Sequence, residues 1–163
     1  FFKQDRAQTI HVEYISQGQS GGPGFYLGQD PARRFRATDS WVSTGVALPA
    51  VGEWHHLALN VDAAANQSTL YLDGSAVANL AFAIATTSNG THTRFGTQFQ
   101  TFNEFFDGSL DEIMIFEGAL SAGEIATLAS ASPGTTPVPL PASLWLTIPG
   151  LLALARRRRL PGR

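Results

Sequence analysis

Residues 52–74, GEWHHLALNVDAAANQSTLYLDG, are the stretch on which the fold turns. Residues 54–61 and 68–73 are rich in Leu, Val, Tyr and Thr, and a polar segment at 62–67 separates them, which predicts two antiparallel strands and a loop. Asp73-Gly74 tolerates the positive φ that a tight hairpin turn needs, so residues 76–82 are expected to return as a third strand. The product is a meander. Its alternation places Leu57, Leu59 and Val61 on one face and Trp54, His56, Ala58 and Asn60 on the other, so either both faces are covered or a bulge sits near His55. Trp54 is expected to be largely buried.

The run Gly52-Glu53-Trp54-His55-His56, leading into Tyr71-Leu72-Asp73-Gly74, resembles the laminin-G-like branch of the concanavalin A-like jelly rolls. Two later stretches, Phe106-Asp107-Gly108-Ser109-Leu110-Asp111-Glu112 and Leu120-Ser121-Ala122-Gly123-Glu124-Ile125, are similar to the closing strand and short helix of that family. The resemblance implies an all-β jelly-roll sandwich over residues 1–131 with a short C-terminal helix. It says little about ligand. Phe1-Phe2-Lys3-Gln4 is similar to the end of a strand that the family writes W-V-K, so earlier strands are expected to be missing, leaving an unpaired edge or an uncovered core face.

Between these motifs the chain reads as short β-rich runs separated by turn residues, which favours a sandwich over an α/β fold. Residues 8–16 alternate around Ile10, Val12 and Tyr14; 17–24 is a Gly-rich turn; 25–27 and 34–37 form the next pair; 93–96 is a strand within a polar stretch. Residues 107–116 read as the clearest late strand, with apolar residues on both faces as in a central strand. Ser121 with Glu124 three residues on is a capping box whose helix turns Ile125 and Leu128 toward the sheet.

At residues 132–137 the composition shifts to a Pro/Thr linker. Residues 138–155 are then almost free of polar groups and end in Arg156, Arg157, Arg158 and Arg159. This predicts a separate hydrophobic tail helix, slightly short of the roughly 20 residues that cross a bilayer, with Pro149 in its middle. By the positive-inside rule the arginines stay cytoplasmic and the globular part lies outside. The segment 138–163 resembles the PEP-CTERM sorting signal of Gram-negative bacteria, with Val138-Pro139-Leu140-Pro141 as the motif, although Leu140 stands where Glu is usual. That resemblance implies export, transient insertion in the inner membrane and processing by an exosortase, in cells that make exopolysaccharide.

Charge is divided in the same way. The chain before Pro133 carries six Lys or Arg against thirteen Asp or Glu, a balance of −7, while five arginines sit in the tail. An acidic globular part lacks the basic surface that replaces nucleic-acid counterions, which excludes that partner class. With no cysteine there is neither a disulfide nor a thiolate metal site.

Catalytic patterns are absent from the sequence. No E-x-D-x-x-E strand aims alternate carboxylates into one cleft, and Asp111-Glu112 diverge on a strand and read as an edge or turn anchor. His55 and His56 diverge likewise, His11 and His92 stand alone, and no serine has a nucleophile's surroundings. Trp41 and Trp54 have the chemistry to stack on sugar rings, though a core or rim position is the commoner fate of a tryptophan. Calcium is the one cofactor to weigh, since Asp30, Asp39, Asp107 and Asp111 lie in or beside loops, but no ligand spacing singles out a site. The expected function is an exported, non-enzymatic glycan- or matrix-binding module of the cell envelope or extracellular matrix. A structural spacer without specific ligand is the alternative, and a glycoside hydrolase a third.

Overall fold

The computed structural model describes residues 1–17, 25–38, 43–81, 93–98 and 104–133. Asp39, Trp41, His92, the sorting motif Val138 to Pro141, the tail helix and the cluster Arg156 to Arg159 lie outside these residues. Among the described residues the strands are β1 (Phe2–Gln4), β2 (Val12–Gln17), β3 (Phe25–Gln29), β4 (Arg34–Thr38), β5 (Ser43–Ala47), β6 (Leu57–Asp62), β7 (Gln67–Leu72), β8 (Ser75–Leu80), β9 (Thr93–Phe95) and β10 (Gly108–Leu110). One helix, α1 (Ala122–Ala129), follows them. They form a five-stranded sheet in the order β5-β4-β3-β2-β9, a three-stranded sheet β6-β7-β8 and a two-stranded sheet β1-β10.

The meander at 52–80 forms as its sequence predicts. Leu57 to Asp62 pair in unbroken antiparallel register with Leu72 to Gln67. Asp73 and Gly74, at φ 49° and 79°, make the two-residue turn into β8. Both central residues have positive φ, and this turn matches the right-handed twist of the strands it joins. Leu70 and Tyr71 are consecutive and both buried, so the meander is covered on both faces, the first of the two alternatives its alternation allows. One face meets the core and the other meets the approach to α1, where the Asn60 side chain donates to Leu120 O at 2.9 Å and accepts from Leu120 N at 3.0 Å.

The core is shared by all three sheets: Phe2 from β1, Val12 and Tyr14 from β2, Leu27 from β3, Phe35 and Ala37 from β4, Leu70 from β7. Phe2 stacks on Tyr14 at 5.0 Å, meets Phe35 edge-on at 5.9 Å, and Phe106 closes on Tyr14 at 4.9 Å. Each such large apolar side chain contributes about 1.5–3 kcal/mol on burial. The capping box of α1 is complete, with Ser121 Oγ accepting from Glu124 N at 3.3 Å and Glu124 Oε2 from Ser121 N at 2.8 Å. Ile125 is the helix residue it buries.

Two expectations are overturned. The strand expected over 107–116 stops at Leu110. Its ladder partner is β1, whose register sets Leu110 opposite Phe2, and beyond Asp111 no described strand continues the pairing. Glu112 turns to φ 47°, and Ile113, Met114 and Ile115 are 39%, 36% and 69% exposed, so these residues are not in a central strand. Trp54 is 38% exposed, not buried. It belongs to the loop ahead of β6, and the side chain packed inward from this run is His56.

Candidate functional site

The signature residues of the meander form a latch. Asp73 Oδ1 accepts from His56 N at 2.9 Å while its Oδ2 lies 2.8 Å from His55 Nδ1, and Asp73 N donates to His56 O at 2.8 Å. One carboxylate thereby holds two consecutive residues on the opposite strand. Gly74 leaves the turn bare where Ala126 and Ala129 of α1 press against it: an added Cβ would stand 3.1 Å from the Ala129 methyl. Burial lowers the His56 pKa to about 4, the Phe1 ammonium lowers it further, and Asp73 opposes both. A neutral, buried imidazole and a carboxylate committed to the backbone are scaffold, and they leave no open coordination set.

The closing motif is scaffold for the same reason. At Gly108 a Cβ would lie 2.1 Å from Lys3 O, so β1 approaches as closely as only glycine permits. Asp111 Oδ1 accepts from Glu112 N at 2.9 Å, as an anchor at a turn. The other acidic loop residues are separately engaged. Asp30 Oδ1 accepts from Arg34 N at 2.9 Å across the β3-β4 hairpin, and Asp107 pairs with Arg6. Among the described residues no group of three or more His, Asp or Glu is arranged to hold a metal ion.

Trp54 is the signature residue that faces outward, and it stands on a rigid base. Gly52, at φ 88°, donates its N–H to Gln4 O at 2.7 Å, and His55 exchanges two backbone bonds of 2.9 Å with Phe2. The tryptophan is pinned to β1 on both sides of its own position. Lys3 lies with its ammonium 5.7 Å from the Trp54 ring centre and 3.5 Å from Asp5. On β10, Ser109 stands opposite Lys3. An exposed indole with fixed backbone, with the Lys3 ammonium over one face and Asp5 paired to that ammonium, offers a stacking plane with charged groups beside it.

Sequence reading missed two buried polar clusters. Arg36 is fully buried between Glu13, with which it pairs, and Glu104 at 3.3 Å, and its guanidinium lies 5.6 Å from the Tyr26 ring centre. Burial lowers its pKa, and Glu104 opposes that shift. The signal was Gly28, which stands between Glu13 and Arg36 in register and leaves room above the middle strand for their side chains to meet. The second cluster joins Gln4, Gln8 and Gln29. Gln4 Nε2 donates to Gln29 Oε1 at 2.5 Å and Gln29 Nε2 to Gln8 O at 2.7 Å. Gln8 in turn donates to Phe105 O and accepts from Asp107 N, both at 2.9 Å. His11 lies near the arginine, with its pKa lowered first by burial and then by Arg36.

Several solved structures are similar to this chain. The chain is 17% identical to the Trypanosoma rangeli sialidase, solved with 2,3-difluorosialic acid as a covalent intermediate, over 78% of this chain and 21% of that one, with TM-score 0.52. It is 23% identical to residues 221–444 of an S-layer domain-containing protein of Clostridium thermocellum, over 77% of this chain and 65% of that one, with TM-score 0.45. A heptameric SAP-like pentraxin of Limulus polyphemus is 14% identical over 79% of this chain and 66% of that one, with TM-score 0.48. The chain spans less than two thirds of each of these proteins. None of the curated proteins compared matches it. A laminin-G-type family described as the concanavalin A-like lectin/glucanases superfamily matches residues 1–126, and the chain belongs to that family.

Proposed function

We propose that this chain is an exported, non-enzymatic module that binds glycan or matrix at the rim carrying Trp54. The observation that carries the reading is a tryptophan left 38% exposed by a loop whose backbone is bonded to β1 on either side. A fixed aromatic plane loses little conformational entropy when a sugar ring stacks on it, and Lys3, whose ammonium lies over one face of the ring, and Asp5, paired with Lys3, supply directional contacts beside the other face. The non-enzymatic reading is supported by four carboxylates already committed to the scaffold: Asp73, Asp111 and Asp30 hold backbone amides, and Glu13 holds Arg36. The superfamily contains both lectins and glucanases and does not decide between them.

The same proposal includes the tail. Val138-Pro139-Leu140-Pro141 is the processing motif for an exosortase, residues 142–155 insert transiently in the inner membrane, and Arg156 to Arg159 keep the C-terminus inside until processing. The module is then released to the envelope or matrix. Among the described residues no helix is long and apolar enough to cross a membrane, so the tail is where this part of the reading is tested.

The experiment is a glycan array with the parent chain and Trp54→Ala, each with and without chelator. Saturable binding to one sugar class, lost in the variant while its melting temperature is kept, is the expected result. Binding unchanged by Trp54→Ala would overturn the site. Silence across the array by a folded parent chain would favour a structural spacer.

A further inference from the structure

The turn between β3 and β4 holds an arginine where glycine is the usual residue. Arg33 N donates to Asp30 O at 3.0 Å across a turn with Pro31 in second place, and Asp30 N donates to Arg34 O at 2.9 Å beyond it. Arg33 closes this hairpin at φ 57°. A tight turn followed by one residue in the left-handed region is a common three-residue hairpin loop, and glycine suits that last position because a Cβ there crowds the following carbonyl. An arginine is held in it only at a cost in backbone strain. The turn does not need the side chain, since Asp30 Oδ1 already secures it by accepting from Arg34 N at 2.9 Å.

The guanidinium goes inward instead. Arg33 Nη2 donates to Gln4 Oε1 at 3.3 Å, while Arg33 Nε is buried with no acceptor among the described residues. Gln4 is itself buried, and its Nε2 is committed to Gln29 Oε1 at 2.5 Å and Tyr14 Oη at 3.5 Å. Among the described residues Arg33 is the donor to its carbonyl oxygen.

These bonds close a ring around the loop that carries Trp54. Leu48 N donates to Arg33 O at 3.0 Å where the loop begins, and Gly52 N donates to Gln4 O at 2.7 Å two residues before the tryptophan. Arg33 and Gln4 thus hold the two ends of residues 48–52, and the bond between their side chains joins the holders. Every residue from Ala50 to Trp54 is exposed, so the order of this loop depends on the hydrogen bonds at its ends more than on packing.

We propose that Arg33 is a positioning residue for the Trp54 rim: from a position that favours glycine, its guanidinium locks Gln4 and through it the loop 48–52, so that the indole meets its ligand already in place. The role in binding rests on the reading of Trp54 as a binding surface, whereas the lock on the loop does not. Preorganisation of this kind removes an ordering cost at binding and shows chiefly as slower release.

The test compares the 163-residue parent chain with Arg33→Gly and Arg33→Asn. Both residues accept the left-handed backbone and neither reaches Gln4, so the turn is kept and the lock is lost. Amide hydrogen exchange at Gly52 is expected to quicken about tenfold or more in both variants, while amides of β7 exchange as in the parent. The heteronuclear NOE of the Trp54 indole, assigned by its loss in Trp54→Phe, is expected to fall. On the glycan array both variants are expected to keep the sugar class of the parent and to release it severalfold faster. Unchanged exchange at Gly52 would overturn the proposal, and so would equal acceleration at Gly52 and throughout β7, which would make Arg33 a general stabiliser. Loosening at Gly52 with release at the parent's rate would overturn the positioning role. A folded parent chain silent on the array would refute the Trp54 reading and the role in binding with it, while exchange at Gly52 separately decides the lock.

Discussion

Acid is expected to loosen the meander through His56. In the fold this ring is buried, 5.1 Å from Phe1 edge-on, and its pKa is lowered to about 4, whereas the unfolded value is 6.5. Above the unfolded pKa both states hold the ring neutral, and the histidine makes no difference to stability with pH. As pH falls from 6.5 toward 4 the unfolded chain takes up a proton that the folded chain refuses, so stability is lost across that window. At about 1.4 kcal/mol per unit, the loss approaches 3 kcal/mol, a sizeable part of the roughly 5–15 kcal/mol that holds a domain folded. The assay is urea unfolding of the parent chain and His56→Phe at pH values from 8 to 4. The phenylalanine keeps the ring contact with Phe1 and cannot titrate, so it is expected to flatten the fall between pH 6.5 and 4 while carboxylate effects, common to both, remain. Parallel curves for the two proteins would refute the reasoning and place the His56 ring in contact with water in the folded state.

Arg36→Met is expected to destabilise by about 3–5 kcal/mol in equilibrium unfolding, because it strands the buried Glu13 carboxylate; the double variant Arg36→Met/Glu13→Leu should recover much of that loss. Gly108→Ala is expected to cost about 2 kcal/mol or more, since its Cβ would meet Lys3 O at 2.1 Å and the β1-β10 ladder would have to move; a melting temperature equal to the parent's would show that the two strands are not held this closely. For the tail, mass spectrometry of protein exported from a host with an exosortase should find chains ending near Val138 to Pro141, and replacing Arg156 to Arg159 with neutral residues should disturb retention and processing together. A mature form still ending in Leu160-Pro161-Gly162-Arg163 would make the tail a lasting anchor.

What the sequence determined by itself is local. The Asp73-Gly74 turn, the strands flanking it, the β3-β4 pair and the Ser121/Glu124 capping box rest on residues adjacent or a few positions apart, and their backbone preferences act wherever the chain lies. The four motifs, in their order, also carried the family. Tertiary structure alone decided what depends on register between distant strands. Trp54 and His56 have the same parity, yet one is exposed and the other buried, because β1 docks against the loop ahead of β6. Residues 111–116 have the composition of a strand, but Glu112 turns to φ 47° and no described strand pairs with the residues after it. Glu13 and Arg36 are 23 residues apart, and Gln8 and Asp107 are 99 apart. No local pattern announces such contacts, because burying a polar group is favourable only where the fold delivers its partner.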